Sequence, residues 1–250
     1  MTTFTGADDL RGARFEGADL SGARFVGTSL VGAVMRGVDV EDAEIDAPWL
    51  FDGSRFLVNG VDVAPLVDAQ LNDRFPGRAL RRATEPDGLR AAWAAVEGAW
   101  AAALDRVESM PAGTVDVSVG GEWSFAQTVR HLVMATDTWL RRAILGVEQP
   151  FHPIGQPNDE YETDGHDTSV FSEPTPSWTR VREVRADRVA MVRDLIATVT
   201  TDELAAERRN PWAPQYPETT LSCLHTILGE EWEHLRFALR DLDAIEAGAA

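Results

Sequence analysis

The chain has no lysine and a single cysteine, and both scarcities restrict what the protein can be. Its 23 basic side chains are all arginine and face 41 acidic ones, which gives a net charge of −18 over 250 residues. A nucleic-acid backbone repels such a surface unless positive charge is segregated, and the sequence has no basic stripe. We therefore expect no nucleic-acid partner. Cys223, being alone, excludes an internal disulfide and is consistent with a reducing compartment.

Long apolar runs are also missing. No segment approaches the roughly 20 apolar residues that a membrane-spanning helix needs. The polar and acidic N-terminal stretch lacks the basic and apolar regions of a signal peptide. We therefore expect a cytoplasmic protein with no membrane partner. Hydrophobic residues still make up 44% of the chain, which is enough for a packed core in one large or two modest domains.

A repeat of period five occupies residues 6–47. Its large apolar members are Leu10, Phe15, Leu20, Phe25, Leu30, Met35, Val40 and Ile45. Glycine keeps the same spacing from Gly12 to Gly37, and a mostly small residue stands two positions before each large one from Phe15 onward. Period five fits neither a helix nor a strand. It fits a chain that turns a corner every five residues, with the large and small side chains pointing inward.

This pattern resembles the pentapeptide-repeat family, whose fold is a right-handed β-helix of square cross-section. The resemblance implies a short β-helix over residues 1–47, in which eight repeats at four per coil form about two coils. So short a solenoid cannot present a long DNA-like rod, so we expect it to be a structural cap. The apolar residues that follow Pro48, from Trp49 to Leu57, are expected to cover its open end.

Residues 48–84 are predicted to be a capping segment and linker. An Asn-Gly pair between short apolar stretches predicts a hairpin over 56–63. A short helix is expected over 64–72. Residues 73–86, which carry a run of arginines with a proline and a glycine, are predicted to be a linker.

Residues 85–250 are predicted to be helical. Apolar side chains at steps of three and four indicate four helices, near 86–110, 124–145, 177–199 and 221–242. Helices of this length favour an antiparallel four-helix bundle. Ser124 and Gln127 predict a capping box at the start of the second helix. The long segment 146–176 between the second and third helices is either a lid over a site or a solvated crossover.

Two polar residues stand inside the apolar pattern of the last helix. Glu230 and His234 are four residues apart, so both project from one face. Such a pair can hold a divalent metal if a third ligand arrives from another helix. Taken alone, the spacing is more often that of an ordinary surface pair. His131 lies about two turns into the second helix among apolar neighbours, where a core histidine is the usual explanation.

The combination is more specific than its parts. Trp123-Ser124, then His131-Leu132, then Glu230-x-x-x-His234 resemble the DinB-like superfamily of metal-binding four-helix bundles. That superfamily includes mycothiol-dependent maleylpyruvate isomerases and related thiol-dependent transferases, and the resemblance covers roughly residues 85–247. It implies that His131, Glu230 and His234 are metal ligands. Many members have His-x-x-x-His on the last helix, and the glutamate here resembles the mycothiol-dependent branch.

The resemblance implies a metal-dependent enzyme that transfers a low-molecular-weight thiol to a small electrophilic substrate, or isomerises a substrate through such an adduct. Zinc suits thiol chemistry best, and two histidines with one carboxylate are also compatible with iron, nickel or manganese. The alternative is a non-catalytic interaction protein, in which the repeat is the binding surface and the metal is structural or absent. A homodimer is compatible with both hypotheses.

Other polar residues of the last helix are less suitable as ligands. His225 is nine residues from His234 and therefore lies on the opposite face. Glu231 is the fallback ligand if the helix is rotated. Cys223 is expected to be a small buried residue and not a nucleophile, because nothing nearby in the sequence lowers its pKa. Asp241 is expected to support the site or to form a salt bridge at the bundle end.

Overall fold

The computed structural model describes residues 2–48, 50–51, 55–158 and 161–248. The chain divides into two compact units, Met1–Asp46 and Ala47–Ala250. Trp49, which we expected to help cover the end of the repeat, lies outside the described residues. Each unit is described below by itself.

The repeat turns at the predicted spacing. The glycines from Gly12 to Gly37 have positive φ angles of 57–75°, a region that glycine enters without a steric cost. Turn hydrogen bonds such as Ala13 N–H to the carbonyl of Leu10, at 3.0 Å, recur every ten residues. Residues 2–46 contain no β-strand, and the large apolar side chains of the repeat are 44–61% exposed. The five-residue turn is thus observed, whereas the β-helix stays a prediction.

The second unit begins with a small hairpin. Strands β1 (Leu57–Val58) and β2 (Val61–Asp62) pair antiparallel. Asn59 and Gly60 between them have φ angles of 51° and 82°, as the predicted Asn-Gly turn requires. Helix α1 follows as Ala64–Arg74, with a proline in its first turn.

The segment predicted to be a linker is packed. Its arginine run forms a 3-10 helix, Arg78–Arg82. Arg78 is only 1% exposed, and its guanidinium donates to Asp68 and Asn72 at 2.8 Å each. A buried guanidinium needs such acceptors, and α1 supplies them. The linker prediction for residues 73–86 is therefore wrong.

The second unit is mainly helical, as predicted. Its long helices are α2 (Pro86–Ser109), α3 (Phe125–Thr136), α4 (Trp178–Thr198) and α6 (Thr220–Glu246). A π-helix, Asp137–Ile144, continues α3. The short helix α5 (Thr201–Ala205) leads to a second hairpin, β3 (Glu207–Arg209) with β4 (Pro217–Thr219). Among the described residues, no helix has the length and apolar character needed to cross a membrane.

Helices α3 and α4 run parallel, so the predicted antiparallel bundle is wrong for this pair. The rings of Phe125 and Trp178, which begin the two helices, are 5.9 Å apart. About three turns further along both helices, Arg188 donates to Asp137 at 2.6 Å. The long crossover between the helices makes this direction possible, because it returns the chain to the end of the bundle where α3 began.

The relative directions of the other helix pairs are consistent with this topology. Helix α2 is parallel to α6, since Trp100 contacts Glu231 and Arg106 contacts Asp243 further along both helices. The pairs α2–α4 and α3–α6 are antiparallel, as predicted. All four helices contribute to one apolar core, which includes fully buried Leu89, Leu132 and Leu228. The bundle thereby brings the middle of α6 against the first turns of α3.

Candidate metal centre

His131, Glu230 and His234 come together where α3 crosses α6. One ligand atom from each lies within 4.8 Å of the others. Oε2 of Glu230 is 3.2 Å from Nε2 of His234 and 3.5 Å from Nε2 of His131. The three side chains are 13–18% exposed, so the cluster is screened from bulk water but reachable. Two imidazole nitrogens and one carboxylate oxygen are donors that divalent metals such as zinc accept.

The start of α3 is fixed by the predicted capping box. Ser124 accepts from the N–H of Gln127 at 3.3 Å, and Gln127 accepts from the N–H of Ser124 at 3.0 Å. These reciprocal bonds satisfy two amides that the first turn otherwise leaves free. They set the register of the helix, and His131 then projects toward α6.

The ring of His131 has a defined proton position. Its Nδ1 lies 2.9 Å from the carbonyl oxygen of Gln156, and a carbonyl can only accept. Nδ1 therefore carries the hydrogen, and in the neutral ring Nε2 presents a lone pair toward Glu230. A lone pair that faces a carboxylate oxygen is unfavourable unless a cation lies between them. A proton or a metal ion satisfies this arrangement, and the donor set of two imidazoles and one carboxylate fits a metal ion.

Charge is unevenly distributed within the cluster. Burial raises the pKa of Glu230, but the interactions of its carboxylate with the imidazoles of His131 and His234 outweigh burial and hold that pKa well below its usual range. Burial lowers the pKa of His234, against an opposing hydrogen bond in which Glu230 is the acceptor. Nδ1 of His234 is buried and has no hydrogen-bond partner among the described residues. An ionised carboxylate beside a neutral imidazole is the state in which both groups can bind a metal.

Aromatic rings enclose the cluster. The indole of Trp123 lies 4.7 Å from the ring of His131 and is stacked, at 6.1 Å, on the ring of His234. The edge of Phe237 approaches His234 at 5.7 Å. Trp123 thus contacts both imidazoles and restricts their rotation. The sequence motif marks Trp123 only as the residue before the N-cap, and it does not indicate this stacking.

The crossover is held in place by hydrogen bonds near the site. Buried Arg130 donates to the carbonyls of Ile154 at 2.7 Å and Pro174 at 2.8 Å, close to the two ends of the loop. Gln156 donates its N–H to the carbonyl of Arg130 at 3.3 Å, while its own carbonyl accepts from His131. The described part of the crossover therefore forms a wall beside the cluster. No signal in the sequence marks Gln156, because its role rests on a backbone carbonyl.

A second aromatic group anchors the rest of the crossover. Tyr161 and Phe171 are buried against Met134 on α3. Trp212, from the loop between β3 and β4, lies 5.9 Å from Tyr161 and 5.1 Å from His166. These contacts tie the two loops together.

The other candidates of α6 point elsewhere. Glu231 is 1% exposed and pairs with Arg185 of α4, so it is not turned toward the two histidines. Burial raises the pKa of Glu231, with Arg185 opposing. His225 Nε2 contacts the carbonyl of Ala83 at 2.8 Å, on the side away from His131. Burial raises the pKa of fully buried Cys223 to about 11, so it is not an activated nucleophile.

Asp241 forms a salt bridge near the end of α6. It lies 2.8 Å from Nε of Arg240, and Arg240 also pairs with Glu122 at 2.6 Å. This link joins α6 to the residue that precedes Trp123.

Fold and site together define a helical bundle protein with a His-Glu-His cluster suited to a divalent metal. The family model of the DinB superfamily matches residues 95–238, and the pentapeptide-repeat model matches eight copies within residues 9–44. The first match spans more than half of the chain, so this protein belongs to the DinB superfamily and carries pentapeptide repeats ahead of the bundle. No curated protein and no solved structure gives a match.

Proposed function

We propose that His131, Glu230 and His234 bind one divalent metal ion and that the protein is a metal-dependent, thiol-dependent transferase or isomerase acting on a small electrophile. The observation that supports the metal site is the convergence of one donor atom each from His131, Glu230 and His234, all within 4.8 Å of one another. Zinc is the preferred ion, and iron, nickel or manganese suit the same donors. Three protein ligands leave at least one coordination position for a substrate group.

The residues around that position have separate roles. Gln156 fixes the tautomer of His131, and the low pKa of Glu230 keeps its charge available at neutral pH. Trp123 covers both imidazole rings and limits the water that reaches them. A bound divalent ion would lower the pKa of a thiol placed on it, which makes a small thiol a nucleophile at neutral pH. The choice of a thiol rests on the likeness to the mycothiol-dependent branch.

A direct assay tests the proposed reaction. The zinc-loaded protein is incubated with chlorodinitrobenzene as the electrophile, with and without mycothiol or bacillithiol. We expect turnover only when a thiol is present, and we expect Glu230→Ala to abolish it. Equal turnover without any thiol would contradict thiol dependence, while leaving the metal site open to separate measurement.

A second candidate function is a non-catalytic interaction protein that uses the repeat. The observation in its favour is the exposure of the repeat's apolar side chains, which reaches 96% at Val31 and 71% at Val34. Apolar surface of this kind often marks an interaction site. This hypothesis predicts that variants of His131, Glu230 or His234 still bind the protein's partner, whereas Val31→Asp no longer binds it. The enzyme hypothesis predicts that the ligand variants lose turnover, whereas Val31→Asp retains it.

A further inference from the structure

A groove of about 540 Å³ lies between the end of the π-helix and the β3–β4 hairpin. One wall runs from Arg142 to Gly146, and the other runs from Glu207 to Pro211 and includes Pro214. Both walls belong to the second unit, and the structure describes every residue in them. None of the three residues of the His131 cluster lines the groove. The groove is therefore separate from the proposed metal centre.

Positive charge dominates this groove. Its lining contains the three arginines Arg142, Arg208 and Arg209, and its single acidic residue is Glu207. Among the described residues, none of the three guanidiniums forms an ion pair with a carboxylate. Three arginines against one glutamate leave an excess of two positive charges, in a protein whose overall charge is −18. In so acidic a chain, unpaired arginines gathered in one groove favour an anionic ligand.

Two carboxylates near Arg208 are engaged elsewhere. Glu218 stands opposite Arg208 in the hairpin. Its oxygens accept from the amide of Asn210 at 2.9 Å and from a hydroxyl of α6 at 2.6 Å. The pKa of Glu203 is lowered mainly by hydrogen bonds from the amide and hydroxyl of Thr200, and the charge of Arg208 adds less. Neither acid forms an ion pair with Arg208, so the excess of positive charge in the groove remains.

The helix end in the first wall offsets only part of this excess. A helix C-terminus is equivalent to about half a negative charge. Three of its carbonyls already accept the N–H groups of Leu145, Gly146 and Val147. Arg142, in the last turn, and Arg209, on β3, are both exposed. Their guanidiniums are therefore available to an anion from solvent.

The groove also offers apolar surface and a polar group that lacks a partner. Leu145 is 50% exposed, and Pro214 is exposed as well. Arg208 is half-buried and donates through Nη1 to the carbonyl of Glu207 at 3.3 Å. Its Nε is buried and has no hydrogen-bond partner among the described residues. A buried donor without an acceptor is costly, so a ligand oxygen in this wall would be favourable.

We propose that this groove binds a phosphate monoester carried on a small apolar body. A phosphate monoester has about 1.5 to 2 negative charges at pH 7, which matches the excess of the arginines. Arg142 and Arg209 would donate to its oxygens, since guanidinium groups match the geometry of phosphate. Leu145 and Pro214 would contact the apolar body. The proposal does not depend on the metal or on the proposed reaction.

Calorimetric titration of the full chain at about pH 7 compares phenyl phosphate with benzoate and with inorganic phosphate. We expect phenyl phosphate to bind most tightly, because benzoate has one charge and inorganic phosphate has no apolar body. Replacing Arg142 and Arg209 by glutamine removes two charge-assisted donors, so affinity for phenyl phosphate should fall at least about tenfold. The matched control is Arg55→Gln with Arg74→Gln, which removes two exposed arginines outside the groove.

A second control addresses binding at the metal centre, since phosphate oxygens also bind divalent ions. His234→Ala removes a proposed metal ligand and should leave affinity for phenyl phosphate unchanged. Loss in the Arg142/Arg209 variant, with retention in both controls, supports the site. If the double variant does not fold, Arg209→Gln gives the same test, and it should weaken phenyl phosphate while Arg74→Gln does not.

Four results would overturn the proposal. The first is no binding of phenyl phosphate by the unmodified chain. The second is equal loss in the two double variants, which would mean attraction by net charge alone. The third is loss in His234→Ala, which would place the phosphate at the metal. The fourth is binding of benzoate or inorganic phosphate as tight as that of phenyl phosphate, which would exclude a site for a dianion on an apolar body.

Discussion

Nδ1 of His131 lies 2.9 Å from the carbonyl oxygen of Gln156, and this contact decides which ring nitrogen remains for a metal. The carbonyl belongs to the crossover, which Arg130 holds against α3 through the carbonyls of Ile154 and Pro174. The geometry of the cluster thus depends on a loop that contributes no ligand.

The first prediction concerns Arg130. Arg130→Gln shortens the side chain and frees the crossover, so the oxygen that orients His131 is no longer fixed. We expect zinc affinity to fall about 10- to 100-fold, the range typical when a hydrogen-bond partner of a metal ligand is lost. Competition with a zinc chelator measures it. Arg142→Gln, an exposed change elsewhere on the same helical segment, should leave affinity unchanged, and equal loss in both variants would contradict the positioning role.

The second prediction concerns the buried pair of Arg185 and Glu231. Arg185→Met leaves an uncompensated carboxylate in the core, which costs about 3–5 kcal/mol of unfolding free energy in comparable cases. Urea denaturation should show this loss. Because burial already raises the pKa of Glu231, the loss should shrink as pH falls and that carboxyl becomes protonated.

The control is an exposed ion pair that also involves α4, between Arg193 on α4 and Glu97 on α2. Arg193 bonds to Glu97 at 3.0 Å, but its side chain is 55% exposed. Arg193→Met should therefore change stability by no more than about 1 kcal/mol. Equal effects of Arg185→Met and Arg193→Met would mean that the Arg185–Glu231 pair is not buried in solution.

The third prediction concerns Cys223 and pH. Burial raises its pKa from 9.0 to about 11 in the folded chain. Since the thiolate is the reactive form, alkylation by iodoacetamide at pH 9 should be much slower in the native protein than in urea. The folded pKa is the higher one, so the corresponding stability is present below pH 9 and declines as pH rises toward 11. Rapid native alkylation, with no dependence on unfolding, would contradict the burial of this thiol.

Several features of the fold follow from local sequence. The capping box of Ser124 and Gln127 is confirmed, because both bonds join residues three apart in one turn. The turn at Asn59-Gly60 and the four long helices are confirmed for the same reason: their signals are local. Glu230 and His234 share a face whatever the tertiary structure, since four residues make about one helical turn.

Other features depend on contacts that the sequence does not encode locally. The parallel direction of α3 and α4 follows from the path of the crossover, whose length allows either direction. Arg185 and Arg188 stand in a helix rich in charge, and only packing reveals that their partners Glu231 and Asp137 are buried. The run from Arg78 to Arg82 resembles a linker in composition. Its packing is not visible in the local sequence, because the side chains that accept its hydrogen bonds lie on α1.

Metal content per chain, measured after gel filtration in a mild chelator, tests the central claim most directly. We expect about one divalent ion per chain in the unmodified protein and in His225→Ala, whose ring bonds to Ala83 and not to the cluster. His131→Ala, Glu230→Ala and His234→Ala should each lose most of the metal, because each removes one of three protein ligands. Full occupancy in His131→Ala or Glu230→Ala, together with loss in His225→Ala, would contradict the assignment of the site.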